Sequence, residues 1–418
     1  MKHRKMSVGL ICICLLLVSA STISAQVKPK PIKIGFMYDL TGMFSAMGVD
    51  TQNTVKVGVE LLNKEGGIKG HPIEYVTYDG ESNATKAALT AKKLIELEKV
   101  HVVQGSNGTG VALAVGPVCE QNKVPFITAT ASEIFENTLK PYWSFRVTWR
   151  GWEMVDLGLG MIKRLDPNAK KIAILYQGAA FGKQLYENAE YFAPERGFKI
   201  VAAEKYDPTG TEFGAQISKI MAAQPDAVAV YCADMAGPLA MKQMREMGMN
   251  KIIVSNGAIN LKAIRAAFNS TFSIPPYVYM AGNKADVWWQ LPKESVEYKI
   301  IEPIATVYER TFKDRYGAVQ HLPMGGLLIL KDAIGRALSE DPNLFDRDLQ
   351  AIRTVIRDKV ETTKNLNVAG GIFTMTPKDH CGVIPGTPFA PCHWENGNLI
   401  YDSKLRDIKP LPAPPAPK

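Results

Sequence analysis

The sequence predicts an α/β protein built as two doubly wound lobes. Three observations carry that expectation. Short apolar runs alternate with helical patterns along most of the chain. The alternation runs through once, breaks near residue 150 and starts again. At 418 residues with 46% hydrophobic content, the chain is long enough for two cores. A repeated strand–helix order implies parallel sheets covered by helices on both faces.

The first set opens with a strand over 32–38. A helix follows over 51–65, with Val55, Val59 and Leu62 on one face and Gly66-Gly67 as its stop. A strand at 73–78 and a helix at 84–97 repeat the unit, with Ala87, Ala91, Leu94 and Ile95 on one side. A third strand at 100–104 leads through a Gly-rich turn to a helix at 110–121, and a fourth strand spans 124–128. The second set begins with a helix at 152–165, on which Val155, Leu159 and Ile162 share a face. Strands are expected at 171–176, 198–205, 226–231 and 251–254. Helices at 181–196, 213–223, 237–247 and 261–268 alternate with them.

After Pro275-Pro276 and a strand at 277–280 come long helices at 296–316, 323–338 and 347–361. A strand at 370–376 and a hairpin around Asn396-Gly397 close the pattern. The return of helices suggests a crossing back to the first lobe. Residues 26–147 plus 275–358 are assigned to lobe 1, 148–274 plus 359–408 to lobe 2, and the Pro-rich 409–418 to a disordered tail. The ligand of such a molecule lies between the lobes, at the carboxyl ends of the strands.

Residues 1–25 read as a cleaved secretory signal peptide. Lys2, Arg4 and Lys5 precede an apolar run at 8–18, and small residues lead to Ala25. The expected location is the periplasm. Without those three cations the net charge of +8 falls by three. No dense Lys/Arg block is present, so nucleic acid is not an expected partner; the mild excess suits an anionic ligand. Of six cysteines, Cys12 and Cys14 lie in the leader. In an oxidising compartment Cys381 and Cys392 are candidates for a disulfide closing a Gly/Pro-rich loop. Free thiols, or a metal site with Asp379, His380 and His393, are the rival readings, although metal-ligand spacing is lacking. Cys119 and Cys232 read as buried thiols. The six histidines form no HExxH, and there is no Gly-x-Ser-x-Gly elbow, so no enzyme motif is framed. No cofactor is expected.

Several segments then fall into one ordered set: Ile34-Gly35-Phe36 with Leu40-Thr41-Gly42 and Gly48, Leu62-Asn63-Lys64-Glu65-Gly66-Gly67-Ile68-Lys69-Gly70, Gly110-Val111-Ala112-Leu113-Ala114, Val124-Pro125-Phe126-Ile127, Ala227-Val228, Lys242-Gln243-Met244-Arg245 and Phe373-Thr374 with Pro377-Lys378-Asp379-His380. The set resembles the type I periplasmic binding proteins, specifically the branched-chain amino acid (leucine/isoleucine/valine) binding proteins of ABC transporters. The resemblance implies two Rossmann-like lobes joined by a three-strand hinge. It also implies a monomer that closes on a small-molecule ligand (a carboxylate, an amide or an amino acid) and docks on ABC permease membrane subunits. A ligand-sensing partner of a signalling protein is the other role the fold allows.

The loop 105–110 links a strand to a helix. Its glycines let backbone approach a ligand, and the helix start favours a negative group. It is neither a Walker loop nor a dinucleotide fingerprint. Asn107 lies in this loop, and the resemblance gives Thr109 the ligand carboxylate; an ordinary helix cap is the alternative. Thr130 and Ser132 match family positions on the same carboxylate and an ammonium. Phe181 stands where a tyrosine often lines the pocket, and Asp234 falls near another pocket-lining position. Asn256 occupies the place of the acid that meets an amino acid's ammonium, and a neutral amide cannot replace that charge. Tyr38, Phe44, Trp149 and Arg150 are further cleft candidates; Arg150 suits either a ligand carboxylate or a hinge salt bridge. The expected ligand is therefore a small carboxylate or amide, with an aromatic body in view. A branched-chain amino acid remains the alternative if Asp234 supplies the missing charge.

Overall fold

The computed structural model describes residues 28–415 except residue 106, and leaves the side chain of residue 258 aside. The leader assigned to residues 1–25 lies outside the described residues.

The first lobe is a sheet of five parallel strands, β1 (Ile32–Tyr38), β2 (Ile73–Asp79), β3 (Val102–Gly105), β4 (Phe126–Thr128) and β5 (Ser144–Arg146), in the order β2-β1-β3-β4-β5. Between them run α1 (Ser45–Lys64), α2 (Ala84–Glu96), α3 (Thr109–Gln121) and α4 (Ile134–Leu139). Side chains alternate along β1: Ile34, Phe36 and Tyr38 enter one core, and Met37 enters another with Ala87, Ala91 and Leu94 of α2. Burial on both faces is why β1 reads as a nearly unbroken apolar run.

The second lobe begins with α5 (Gly151–Leu165). Its strands are β6 (Lys171–Gln177), β7 (Lys199–Tyr206), β8 (Ala227–Tyr231), β9 (Ile252–Asn256) and β10 (Val278–Asn283), alternating with α6 (Ala180–Glu195), α7 (Gly214–Ala222), α8 (Ala236–Glu246) and α9 (Lys262–Phe272). The chain then returns to the first lobe with α10 (Val296–Phe312), α11 (His321–Glu340), α12 (Leu349–Glu361) and the small ribbon β11 (Leu366–Val368) and β12 (Gly371–Phe373). It ends in the second sheet with β13 (Phe389–Glu395) and β14 (Asn398–Tyr401), which gives the order β14-β13-β10-β9-β8-β6-β7. In this sheet β13 runs antiparallel to both of its neighbours, β10 and β14, and the other pairings are parallel. Asn396 and Gly397 both have positive φ, 47° and 77°, as a type I′ hairpin requires.

Three expectations from the sequence are corrected. First, the crossings fall later than residues 275 and 359. Residues 278–283 pair with β9 and β13 in the second sheet, and the chain leaves only after Asn283, whose side chain caps the turn at Lys284–Gln290. Residues 359–383 stay with the first lobe, where Val360, Phe373, Cys381 and Val383 are core. Second, Cys381 and Cys392 are not joined. Each is buried in a different lobe's core, and their thiols donate to Thr148 O (3.5 Å) and Ala390 O (3.0 Å). Among the described residues no group of His, Cys, Asp and Glu is arranged to hold a metal ion. Third, the tail is fixed through residue 411: Leu411 N donates to Asp156 Oδ2 (2.8 Å), Lys409 O accepts from Arg196 (2.8 Å), and Ile408 and Leu411 pack on the second core. Alpha-helix α1 also starts six residues early, because Gly48 lets its first turn abut Asp39; a Cβ there would sit 1.9 Å from Asp39 O.

The tail's anchor is a bidentate pair, Arg196 to Asp156 at 2.7 and 2.8 Å, with Asp156 only 1% exposed. Arg196→Ala strands that carboxylate. The expected loss is about 3 kcal/mol of unfolding free energy in a denaturant titration, with faster proteolysis after residue 408.

Candidate ligand cleft

The two sheets turn their strand carboxyl ends toward each other, and a cavity of about 50 Å³ lies between them. Beta-strand β3 ends at Gly105, whose φ of 152° and contact with Met37 O (1.9 Å from a would-be Cβ) exclude any side chain. The loop then delivers Asn107, Gly108 and Thr109 to the cavity wall. Gly108 is the N-cap of α3 and offers no side-chain cap. A Cβ there would lie 2.8 Å from the Phe44 ring, so glycine lets that ring lie over the helix start. The first-turn amides of α3 have no intrahelical acceptors, and the helix dipole favours negative charge beside them.

Thr109 lines the cavity and shares a 3.0 Å hydroxyl–hydroxyl bond with Thr130, which stands one layer behind, with its carbonyl held by Arg146 (3.0 Å). Ser132 Oγ accepts from Ile134 N (3.3 Å) and starts α4 instead of facing the cavity. From the second lobe come Phe181, Met154, Ala233 and Asn256. Both ends of the Asn256 amide are spent on Cys232: Oδ1 accepts from its N–H (3.0 Å) and Nδ2 donates to its carbonyl (2.8 Å).

Asp234 is off the wall. Its carboxylate accepts from Tyr206 OH (3.1 Å), Gly237 N (2.9 Å) and the Gln177 amide, which fixes the start of α8. Burial holds its pKa above the ordinary carboxylate range. Tyr38 belongs to the first lobe's core, stacked on Phe36 at 6.0 Å. Arg150 is a hinge residue: it donates to Asp379 Oδ2 (2.7 Å) and Val383 O (2.9 Å). Of the eleven candidates named from sequence, Phe44, Asn107, Thr109, Trp149, Phe181 and Asn256 thus converge on one cavity. Tyr38, Thr130, Ser132, Asp234 and Arg150 do not line it. Sequence reading missed Met47, Thr148, Val319 and Leu322. The last two arrive from the turn before α11 (Val319) and from its first turn (Leu322), more than 150 residues from Trp149, and carry no local signal.

Among the described residues, no ionisable side chain forms the wall. The wall does hold three buried polar atoms without partners: Asn107 Oδ1, Thr148 Oγ1 and Trp149 Nε1. Behind Trp149, His321 is fully buried and stacks on it at 5.1 Å; burial pushes its pKa down to about 3, so it is neutral.

A family model described as "Periplasmic binding protein" matches residues 31–380. This chain belongs to the periplasmic binding protein family. Leu/Ile/Val-binding protein homolog 7 of Brucella abortus is 25% identical over 259 residues; the match covers 59% of this chain and 65% of that relative, just under two thirds of its length. An extracellular ligand-binding receptor from Rhodopseudomonas palustris HaA2 shares the fold with a TM-score of 0.80 at 24% identity, over 89% of this chain and 99% of that one. A solute binding protein of an ABC transporter from R. palustris, solved in complex with benzoate, superposes with a TM-score of 0.72 at 17% identity, over 88% and 95% of the two chains. No helix among the described residues of this binding protein is long and apolar enough to cross a membrane.

Two outcomes are expected. Asn256→Asp removes the donor to Cys232 O and faces that carbonyl with a carboxylate, so the melting temperature falls, by about 1–3 kcal/mol of stability. Glu153, in the first turn of α5, is 3% exposed and accepts from Gly386 N (2.9 Å); burial raises its pKa from 4.5 to about 7. The folded state therefore binds a proton that the unfolded state releases. This contribution is complete below pH 4.5 and is lost as pH rises through 7. Glu153→Gln should melt higher than wild type at pH 8 and at the same temperature at pH 4.5.

Proposed function

We propose that this chain is the solute-binding component of an ABC importer, that its lobes close on a small carboxylate or amide with an apolar, aromatic body, and that it hands this ligand to a permease. The reading rests on one observation: among the described residues the cavity wall contains no ionisable side chain, while the start of α3 and Thr109 meet it. An ammonium brought into that space leaves its hydration shell and meets no carboxylate, at a cost of several kcal/mol. A carboxylate meets backbone amides at a helix start, where no counter-ion is needed. Phe44, Phe181 and Trp149 supply flat apolar walls. The benzoate-bound neighbour of the same fold is in keeping with such a ligand. The leader at residues 1–25 directs the chain to the periplasm, where it works as a monomer. No catalytic role is proposed for any residue.

The test is a thermal-shift screen of protein unfolded and refolded to strip carried ligand, against aliphatic and aromatic carboxylates, amides and the branched-chain amino acids. Benzoate-type acids should raise the melting temperature, and leucine and valine should leave it unchanged. Thr109→Val should weaken the best acid about tenfold, the worth of one charge-assisted hydrogen bond. A larger shift with leucine than with any acid restores the amino acid reading suggested by the name of the Brucella relative.

A further inference from the structure

The charge-free wall leaves a question about polar chemistry. Trp149 is 7% exposed and Thr148 is fully buried, yet Trp149 Nε1 and Thr148 Oγ1 have no hydrogen-bond partner. These consecutive residues form the first crossing between the lobes, between β5 and α5. An indole N–H only donates, whereas a hydroxyl donates or accepts. A buried donor left unmet is destabilising, so two such groups kept at a cavity wall point to a partner that enters the cavity.

The surroundings do not satisfy Trp149. His321 stacks on its ring at 5.1 Å with an interplanar angle of 30°, and Phe389 packs at 6.4 Å. The first contact is a stack and the second is tilted at 51°; neither gives the indole N–H an acceptor. The space that Trp149 and Thr148 both border is the cavity. Across it, Asn107 Oδ1 is a buried acceptor that also lacks a partner.

We infer that the ligand carries, besides its carboxylate, an uncharged oxygen function, best a hydroxyl, and that Trp149 Nε1 donates to it at the hinge end of the cavity. A hydroxyl accepts from Trp149 and still donates to Thr148 or Asn107, so one group answers a donor-only and an acceptor-bearing neighbour. An ammonium offers no lone pair to the indole N–H. A purely hydrocarbon ring leaves all three atoms unmet. Trp149 is thus a specificity-determining residue that separates hydroxylated acids from their unsubstituted parents. A site built around a buried polar contact rejects an analogue lacking it more strongly than an apolar pocket rejects a missing methylene. This inference rests on the carboxylate reading above and refines it.

The experiment titrates refolded wild-type protein and Trp149→Phe by calorimetry with benzoate, the three monohydroxybenzoates and leucine. Wild type should bind at least one hydroxybenzoate about tenfold more tightly than benzoate. In Trp149→Phe that ratio should fall toward one, with the benzoate affinity nearly kept. Thr148→Val should lower the same ratio in part. The wild-type indole N–H spectrum supplies a readout that needs no variant: one tryptophan resonance should move downfield with the preferred hydroxybenzoate and not with benzoate. Equal affinities for benzoate and all three isomers, no such resonance shift, or a Phe variant that weakens every acid alike overturns the inference and leaves the carboxylate reading standing. Leucine binding while none of the acids binds overturns that reading itself, and the inference with it.

Discussion

Arg150 reaches from the first crossing to the segment before the third, donating to Asp379 and to the carbonyl of Val383. The same two segments are laced by Arg146 N to His380 O (2.9 Å) and by the Cys381 thiol to Thr148 O. Asp379 in turn accepts from the amides of Cys381 and Gly382, both at 3.1 Å. The second and third crossings meet through Lys284 N and Pro388 O (2.9 Å). This lacing sets where the chain leaves one sheet for the other. It therefore sets where Thr148 and Trp149 stand, and how the strand ends of the two lobes face each other.

The cleft that results is unusual in what it keeps out. Acids surround it but are occupied elsewhere. Asp234 caps α8, and Glu153 accepts from the third crossing. Asp50 of α1 is 5% exposed, accepts from Gln320 (3.2 Å), and has its pKa raised to about 7 by burial. Each stabilises a turn, a helix start or a lobe contact, and none of the three lines the described cavity wall. Under the proposed function, polar recognition falls to groups that carry no charge: backbone amides at the start of α3, the Thr109 hydroxyl and the unmet atoms of Asn107, Thr148 and Trp149. Desolvating neutral groups costs far less than desolvating an ion, so the closure proposed above would leave no uncompensated charge among the described wall residues.

Much of the fold was legible because parallel strands buried on both faces and amphipathic helices leave strong local patterns; β1, α2 and α6 fall close to where the periodicity places them. The crossings were not legible. Beta-strand β5 has three residues, too few for any alternation to register, and sheet membership of β10 depends on pairing with β9 and β13, which no local pattern encodes. The Cys381–Cys392 pairing failed for a related reason: closeness in sequence says nothing when the chain changes lobe between the two residues. At the cleft, the Gly-rich loop before α3 was readable from its composition, and Asn256 only through the family resemblance, which puts it where amino-acid binders carry an acid. Asp234 misled because a buried acid near a strand end reads the same whether it faces a ligand or caps the next helix. Val319 and Leu322 were beyond reach, since only the tertiary return of the chain brings them to Trp149.

The most direct measurement is mass spectrometry of whatever small molecule leaves the protein when it is purified from its native cells without refolding and then denatured. The account predicts an organic acid or its amide, free of any amine, released in near-stoichiometric amount. Recovery of leucine, isoleucine or valine at that stoichiometry would contradict it, because the described cavity wall has no charge with which to hold an ammonium.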